Sequence, residues 1–290
     1  MAYLKLKFSR LICFVLFSSR RGVKNSLGSY VAPADISNQQ SFEAEIFAMQ
    51  VNSLLRPKRL VKDRLKRFGS KHDGGYFLID RDYKKGVLIS GGISNNNDFE
   101  LDLGKSGLKV AQIDFSIDQP PKKHKNLYFY QYRISGNSKT HQNSVSLDEF
   151  LEKFHVKLTN KRSEVNILKL DIEGSEWDAL LDFKSLDYFD QILLELHAFN
   201  DAVNNSQKDR IIRVLKKINQ SHFPTYVLGN NCCGFTIFGG NPIANVMEVG
   251  FALRNNYRFS DFESPSNLTH YPHGNYKSRP KLNVNGIWGS

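Results

Sequence analysis

The sequence predicts an α/β fold, a mainly parallel sheet covered by helices on both faces. Three observations carry that expectation. Short apolar runs of strand length alternate with amphipathic runs of helical spacing between residues 86 and 218, as in successive β-α-β units. Two of the apolar runs stop on a carboxylate, at Asp114 and Asp171, which puts acids at the carboxyl edge of the sheet, where open α/β sheets bind ligands. The last runs, Tyr226–Leu228, Phe235–Phe238 and Val246–Leu253, have no helix between them. One edge is therefore expected to close as an antiparallel hairpin.

Taken in order, residues 1–34 hold Lys5, Lys7, Arg10, Arg20, Arg21 and Lys24 and no acid, supplying +6 of the formal net charge of +11. The remaining +5 is spread too thinly for a nucleic-acid reader. The apolar run Leu11–Phe17 has seven residues, far short of the about 20 that cross a bilayer. It reads as part of a basic extension with at most weak membrane-surface contact, or as a targeting segment; a cytoplasmic location is expected. The three cysteines, Cys13, Cys232 and Cys233, lack the spacing of a disulfide framework or a usual zinc site. The adjacent pair reads as a buried or loop-end feature rather than a redox centre, and suits a reducing compartment.

Apolar positions from Phe42 to Leu55 predict a helix within 35–55 that ends before Pro57. A basic block follows, Arg56, Lys58, Arg59, Lys62, Arg64, Lys66, Arg67 and Lys71, either a solvated face or a rim attracting an anionic ligand. Asp73-Gly74 marks a tight turn before the strand Tyr76–Ile79, and a turn over 81–86 leads to the strand Val87–Ser90. The chain thus divides into a basic flexible tail over 1–40, a helix and hairpin lead-in over 41–85, the main domain over 86–255 and a polar extension over 256–290.

Gly91-Gly92 and a polar stretch then precede a helix, Phe99–Lys105. Backbone can approach a nucleotide there because no Cβ intervenes, although the pair also fits a plain tight turn. The next strand closes on Asp114, about 20 residues past the glycines, the spacing at which an acid meets ribose hydroxyls in nucleotide-binding folds. Leu127–Arg133 alternates aromatic and polar residues as a third strand, and Ser146 with Glu149 forms a capping box for a helix over 147–154.

The run Asn166–Trp177 is the most informative. A buried strand stops on Asp171, Glu173 and Glu176 flank the turn glycine Gly174, and helical spacing resumes at Trp177, Leu180 and Leu181. The acids also suit a plain helix N-terminus. Gln191–His197 is a further strand, closing on Glu195 and His197, and Lys208–Ile218 is an amphipathic helix.

In these segments the chain resembles the FkbM family of S-adenosylmethionine-dependent methyltransferases. The matching pieces are Asp73–Tyr76, Leu88–Ser94 with Asp98–Glu100, Gln112–Asp114, Leu168–Glu176, Leu194–His197 and Val246–Val249. The K-x-D-x-E-G-x-E block over Lys169–Glu176 is the most specific of them. The resemblance implies a Rossmann-like seven-stranded methyltransferase sheet, mostly parallel with an antiparallel last strand and helices on both faces. It also implies S-adenosyl-L-methionine as cofactor, bound by the domain over 86–255. It carries Ser90, Gly91 and Gly92 to the methionine and ribose side, Asp114 to the ribose hydroxyls, and Asp171 to the sulfonium and the acceptor. Ser90 and Gly91-Gly92 stand where many methyltransferases have an acid and a Gly-x-Gly loop.

Methyl transfer from a sulfonium needs positioning more than covalent help, and a hydroxyl acceptor gains from a general base. Asp171, Glu195 and His197 are the candidates, each at or near a predicted strand end. An ordinary histidine pKa of about 6.5 suits a base; His197 reads equally well as a hydrogen-bonded structural histidine. Glu173 and Glu176 are expected to stabilise the turn. A divalent ion on Asp171 and Glu195 is compatible with these residues but not required, and no metal ligands are assigned. The expected reaction is O-methylation of a saccharide or small-metabolite hydroxyl, with an anionic acceptor if the basic block faces it. The alternative is a methyltransferase-like binding domain without catalysis. An NAD(P)-dependent sugar-modifying enzyme would need a G-x-G-x-x-G-type loop, absent here, and a Tyr-x-x-x-Lys pair, found only as Tyr3 and Lys7.

Overall fold

Helix α1 (Phe42–Leu54) begins where the Ser41 side chain accepts the Ala44 amide at 3.1 Å, an N-cap. The hairpin β1 (Leu65–Gly69) and β2 (Gly75–Ile79) follows it. Then come β3 (Gly86–Gly91), α2 (Asp98–Ser106), β4 (Lys109–Ile113), β5 (Leu127–Tyr130), α3 (Leu147–Lys153), β6 (Val165–Leu170), α4 (Glu176–Asp182) and β7 (Gln191–Leu196). The chain continues through α5 (Asn205–Ser221), β8 (His222–Gly229), the hairpin β9 (Phe235–Phe238) and β10 (Asn241–Ala244), and β11 (Met247–Leu253). This computed structural model describes residues 23–24, 30–31, 36–39, 41–136, 142–158, 163–202, 205–260 and 274–276. The run Leu11–Phe17 and most of the polar extension lie outside the described residues.

The seven-stranded sheet has the order β8-β11-β7-β6-β3-β4-β5. Neighbours from β5 to β7 run parallel, and β11 runs antiparallel to both β7 and β8. The expected mostly parallel sheet with a reversed last strand is what forms. Its central strands are buried on both faces, β6 at every position, as a sheet covered by helices requires. Side chains alternate between two cores. Ile89, Ala111, Leu168, Leu170 and Leu194 face α1, α4 and α5; Leu88, Val110, Ile167 and Leu193 face α2 and the hairpin residues Tyr76 and Leu78. The chain leaves β3 toward β4 and β5 on one side and later returns to β6 and β7 on the other, so the order reverses between β3 and β6, where such sheets open a ligand crevice.

The helix predicted within 35–55 runs from Phe42 to Leu54, and Ile36–Gln39 ahead of it pairs in parallel with β9. Two local expectations are corrected. The third strand stops at Tyr130, and Arg133–Ile134 pairs with Ser144–Val145 instead. Phe235–Phe238 leaves the main sheet and packs on α1 through a Phe47–Phe238 ring contact at 5.1 Å. The capping box of α3 is present, with Ser146 and Glu149 bonding each other's amides.

Candidate active site

The carboxyl ends of β3, β4, β6 and β7 border one cleft of about 430 Å³, a volume that suits a small-molecule ligand. Gly92, Asp114, Asp171, Glu195 and His197 all line it. Ser90 does not. It is fully buried, and its Oγ donates to Glu100 Oε1 at 2.5 Å; burial raises the Glu100 carboxyl above its ordinary range despite nearby Lys169 and that bond. Gly91 lies beneath the cleft, where an added Cβ would meet Ile134 Cδ1 at 2.5 Å. Gly92 has φ +74°, and a Cβ there would stand 1.7 Å from the Asp171 carbonyl oxygen. The glycines therefore let strand ends meet.

Asp114 ties down the loop after β3. Its Oδ2 accepts the amides of Ile93 and Ser94, both at 2.9 Å, and its Oδ1 accepts the Ser116 amide at 2.8 Å and hydroxyl at 2.6 Å. Burial alone would raise its pKa, but the bonds from Ser116, Ser94 and Ile93 outweigh burial and lower it. Four bonds fill the acceptor capacity of a carboxylate. A ribose hydroxyl would reach Asp114 only if one of them, most simply the Ser116 hydroxyl, gave way.

Asp171 is surrounded by side chains instead. Tyr76 donates to its Oδ2 at 2.8 Å, Lys169 Nζ is 3.8 Å from the same oxygen, and His197 Nε2 is 3.9 Å from Oδ1. Lys169 is itself buried, donating to the Gly92 carbonyl and lying 5.2 Å from the Tyr76 ring centroid. Glu195 accepts a bond from Asn230. Burial, the Asp171 charge and a hydrogen bond to Asp171 push the Glu195 carboxyl well above its usual range.

Glu176 organises the turn, as expected. Its buried carboxylate accepts the amides of Ile172 at 2.7 Å and Gly174 at 2.9 Å, and meets His197 Nδ1 at 3.1 Å. Burial opposes charge on the His197 ring, but the Glu176 bond and the charges of Glu176, Glu195 and Asp171 raise its pKa to about 9. The ordinary value expected for His197 is thus corrected: its neighbours keep it an imidazolium. Glu173 does more than support the turn, for its Oε2 lies 3.6 Å from His197 Nε2.

Sequence reasoning gave no role to Tyr76, Lys169 or Asn230. A lone lysine inside an apolar strand is the signal that could have found Lys169, since lysine is almost never fully buried without a partner. Cys232 and Cys233 line the cleft as a disulfide with each other, which corrects the reading of them as a plain loop-end feature. None of the eight basic residues from Arg56 to Lys71 lines the cleft; Lys169 and Arg133 do, and Arg133 stacks on Phe115 at 3.6 Å.

Residues 78–221 match the family described as the methyltransferase FkbM domain. Among solved structures the chain is similar to a fibrillarin/NOP5P complex, at 10% identity and TM-score 0.35 over 59% of this chain and 73% of that one. It is also similar to a protein described as a hemolysin of Streptococcus thermophilus, at 12% identity and TM-score 0.31 over 69% and 76%. Likenesses this distant carry no argument. No curated protein matches the chain.

Proposed function

We propose, on the premise that this chain carries a methyltransferase FkbM domain over residues 78–221, that it transfers a methyl group from S-adenosylmethionine to a hydroxyl oxygen of a saccharide or other small metabolite. One observation carries the reading: the Gly92 loop, Asp114, Asp171, Glu195 and His197 border the same cleft at the reversal of strand order. The donor chemistry fits the cofactor. Asp171 and Glu173 offer negative charge to a sulfonium, Ser94, Asn95 and Asn96 offer hydrogen bonds, and half-exposed Phe115 offers a flat apolar surface.

When bound, S-adenosylmethionine supplies an already activated methyl group. The chain's own part is to orient the acceptor and exclude water. Asp114 and its four bonds hold the β3 loop in shape for that task. Asp171 offers an oxygen to the acceptor hydroxyl, because His197, its pKa raised to about 9, is an imidazolium and no base. An anionic acceptor would meet Arg133, not the basic block.

Calorimetric titration with S-adenosylmethionine and with its demethylated product tests this directly. Both are expected to bind, and Asp114→Ala is expected to weaken them. A folded sample that gives no heat would favour a binding domain without catalysis. Unchanged binding by Asp114→Ala would remove that residue from the site. The acceptor is sought as a glycan or metabolite that lacks one methyl group in cells without the protein.

A further inference from the structure

The cleft holds a mixed donor set, two carboxylates and an imidazole, of a kind that also binds metal ions. One oxygen each of Asp171 and Glu173 and one ring nitrogen of His197 lie within 4.8 Å of one another. His197 Nε2 is 3.9 Å from Asp171 Oδ1 and 3.6 Å from Glu173 Oε2, too far for hydrogen bonds. Ligands in adjacent positions on an ion with bonds of about 2.1 Å stand about 3 Å apart. The three atoms therefore need to close by up to about two ångströms, and Glu173, whose side chain is 88% exposed, can swing that far.

Two groups outside the set aim it. Glu176, wholly buried, meets His197 Nδ1 at 3.1 Å, so the ring turns Nε2 toward Asp171 and Glu173. A carboxylate behind the imidazole is the arrangement that orients metal-bound histidines. Tyr76 engages Asp171 Oδ2, and Oδ1 is the oxygen nearer the ring.

We propose that Asp171, Glu173 and His197 bind one divalent cation, with two carboxylate oxygens and His197 Nε2 as ligands and Glu176 positioning the histidine; the ion takes the place of the Nε2 proton, which leaves to water. An imidazole beside two carboxylates suits manganese or another first-row ion better than calcium or magnesium. Three protein ligands leave positions for oxygens of the acceptor. The purpose of the ion rests on the methyl-transfer reading and deepens it. A hydroxyl bound to the ion would release its proton to water more readily, and Asp171 would act through the ion instead of taking the proton itself. This ligand set differs from the Asp171–Glu195 pair that the sequence allowed without requiring, because Glu195 is engaged with Asn230 and Asp171.

The test titrates Mn²⁺ into the full chain after stripping with a chelator, reading the free ion by electron paramagnetic resonance. One bound ion per chain is expected. Glu173→Gln, an exposed change that spares the fold, should weaken it about tenfold or more, and Glu176→Gln about 10- to 100-fold. The remote, exposed Glu152→Gln should not change it. No bound Mn²⁺ at millimolar concentration, or equal affinity with and without the Glu173 carboxylate, overturns the proposal. Calorimetry with S-adenosylmethionine on the same sample separates the two readings. Ion binding without cofactor binding keeps the ion site and sinks the transferase; cofactor binding without the ion does the reverse.

Discussion

His197 and His222 occupy opposite edges of the same sheet, and their environments are opposites. His197 follows β7 at the carboxyl edge, among Glu176, Glu195 and Asp171, and its pKa is raised to about 9. His222 opens β8 at the amino edge, with Nε2 2.8 Å from the Phe189 carbonyl and Arg254 nearby, and its pKa is lowered to about 4. Burial disfavours the charged ring at both. Only at His197 do neighbouring carboxylates outweigh it, so neighbours and not depth decide the charge. The carboxyl edge is built to hold a cation; the amino edge is built to refuse one.

The strongest way to break this contrast is to remove an anion from the carboxyl edge. Asp171→Asn should slow methyl transfer by about 10²- to 10⁴-fold and lower the His197 pKa, read by steady-state kinetics and by NMR titration. Gly92→Ala comes next. Its Cβ would collide with the Asp171 carbonyl, and chemical denaturation should show a loss of about 3 kcal/mol or more; a silent substitution would mean that the two strand ends are not locked together.

The pH dependence sharpens the contrast. The folded pKa of His222 is depressed, so its contribution to stability is complete above the unfolded value of about 6.5 and is lost as pH falls toward about 4. That acid limb should amount to about 3 kcal/mol, and His222→Gln should flatten it. The folded pKa of His197 is raised, so its contribution is complete below about 6.5 and is lost as pH rises through about 9. Glu176→Gln removes its foremost stabiliser. The smallest expected effect is therefore a shallower alkaline limb in that variant, with the His197 titration moving back toward its ordinary range.

The strand-end rule made much of the site legible. Asp114, Asp171, Glu195 and His197 each follow or end an apolar run, and register then delivers all four to one edge. That rule is local, and it fails where contacts are not. Ser90 adjoins the glycines, yet its side chain turns inward to Glu100. Tyr76 reaches Asp171 from 95 residues earlier in the chain, and no periodicity announces such a bond. The distinction between Asp114, bonded by backbone amides, and Asp171, bonded by side chains, was equally hidden, because both read as a strand stopping on an acid. The strand ahead of the predicted helix was hidden for a similar reason: Ile36–Gln39 becomes a strand only because β9 arrives beside it.

Glu176 fastens the turn after β6 and the histidine after β7 with a single submerged carboxylate. Anchor and rim are thereby separate parts. Evolution, or an engineer, can exchange the outward Glu173 to suit another guest without re-cutting the socket that carries it.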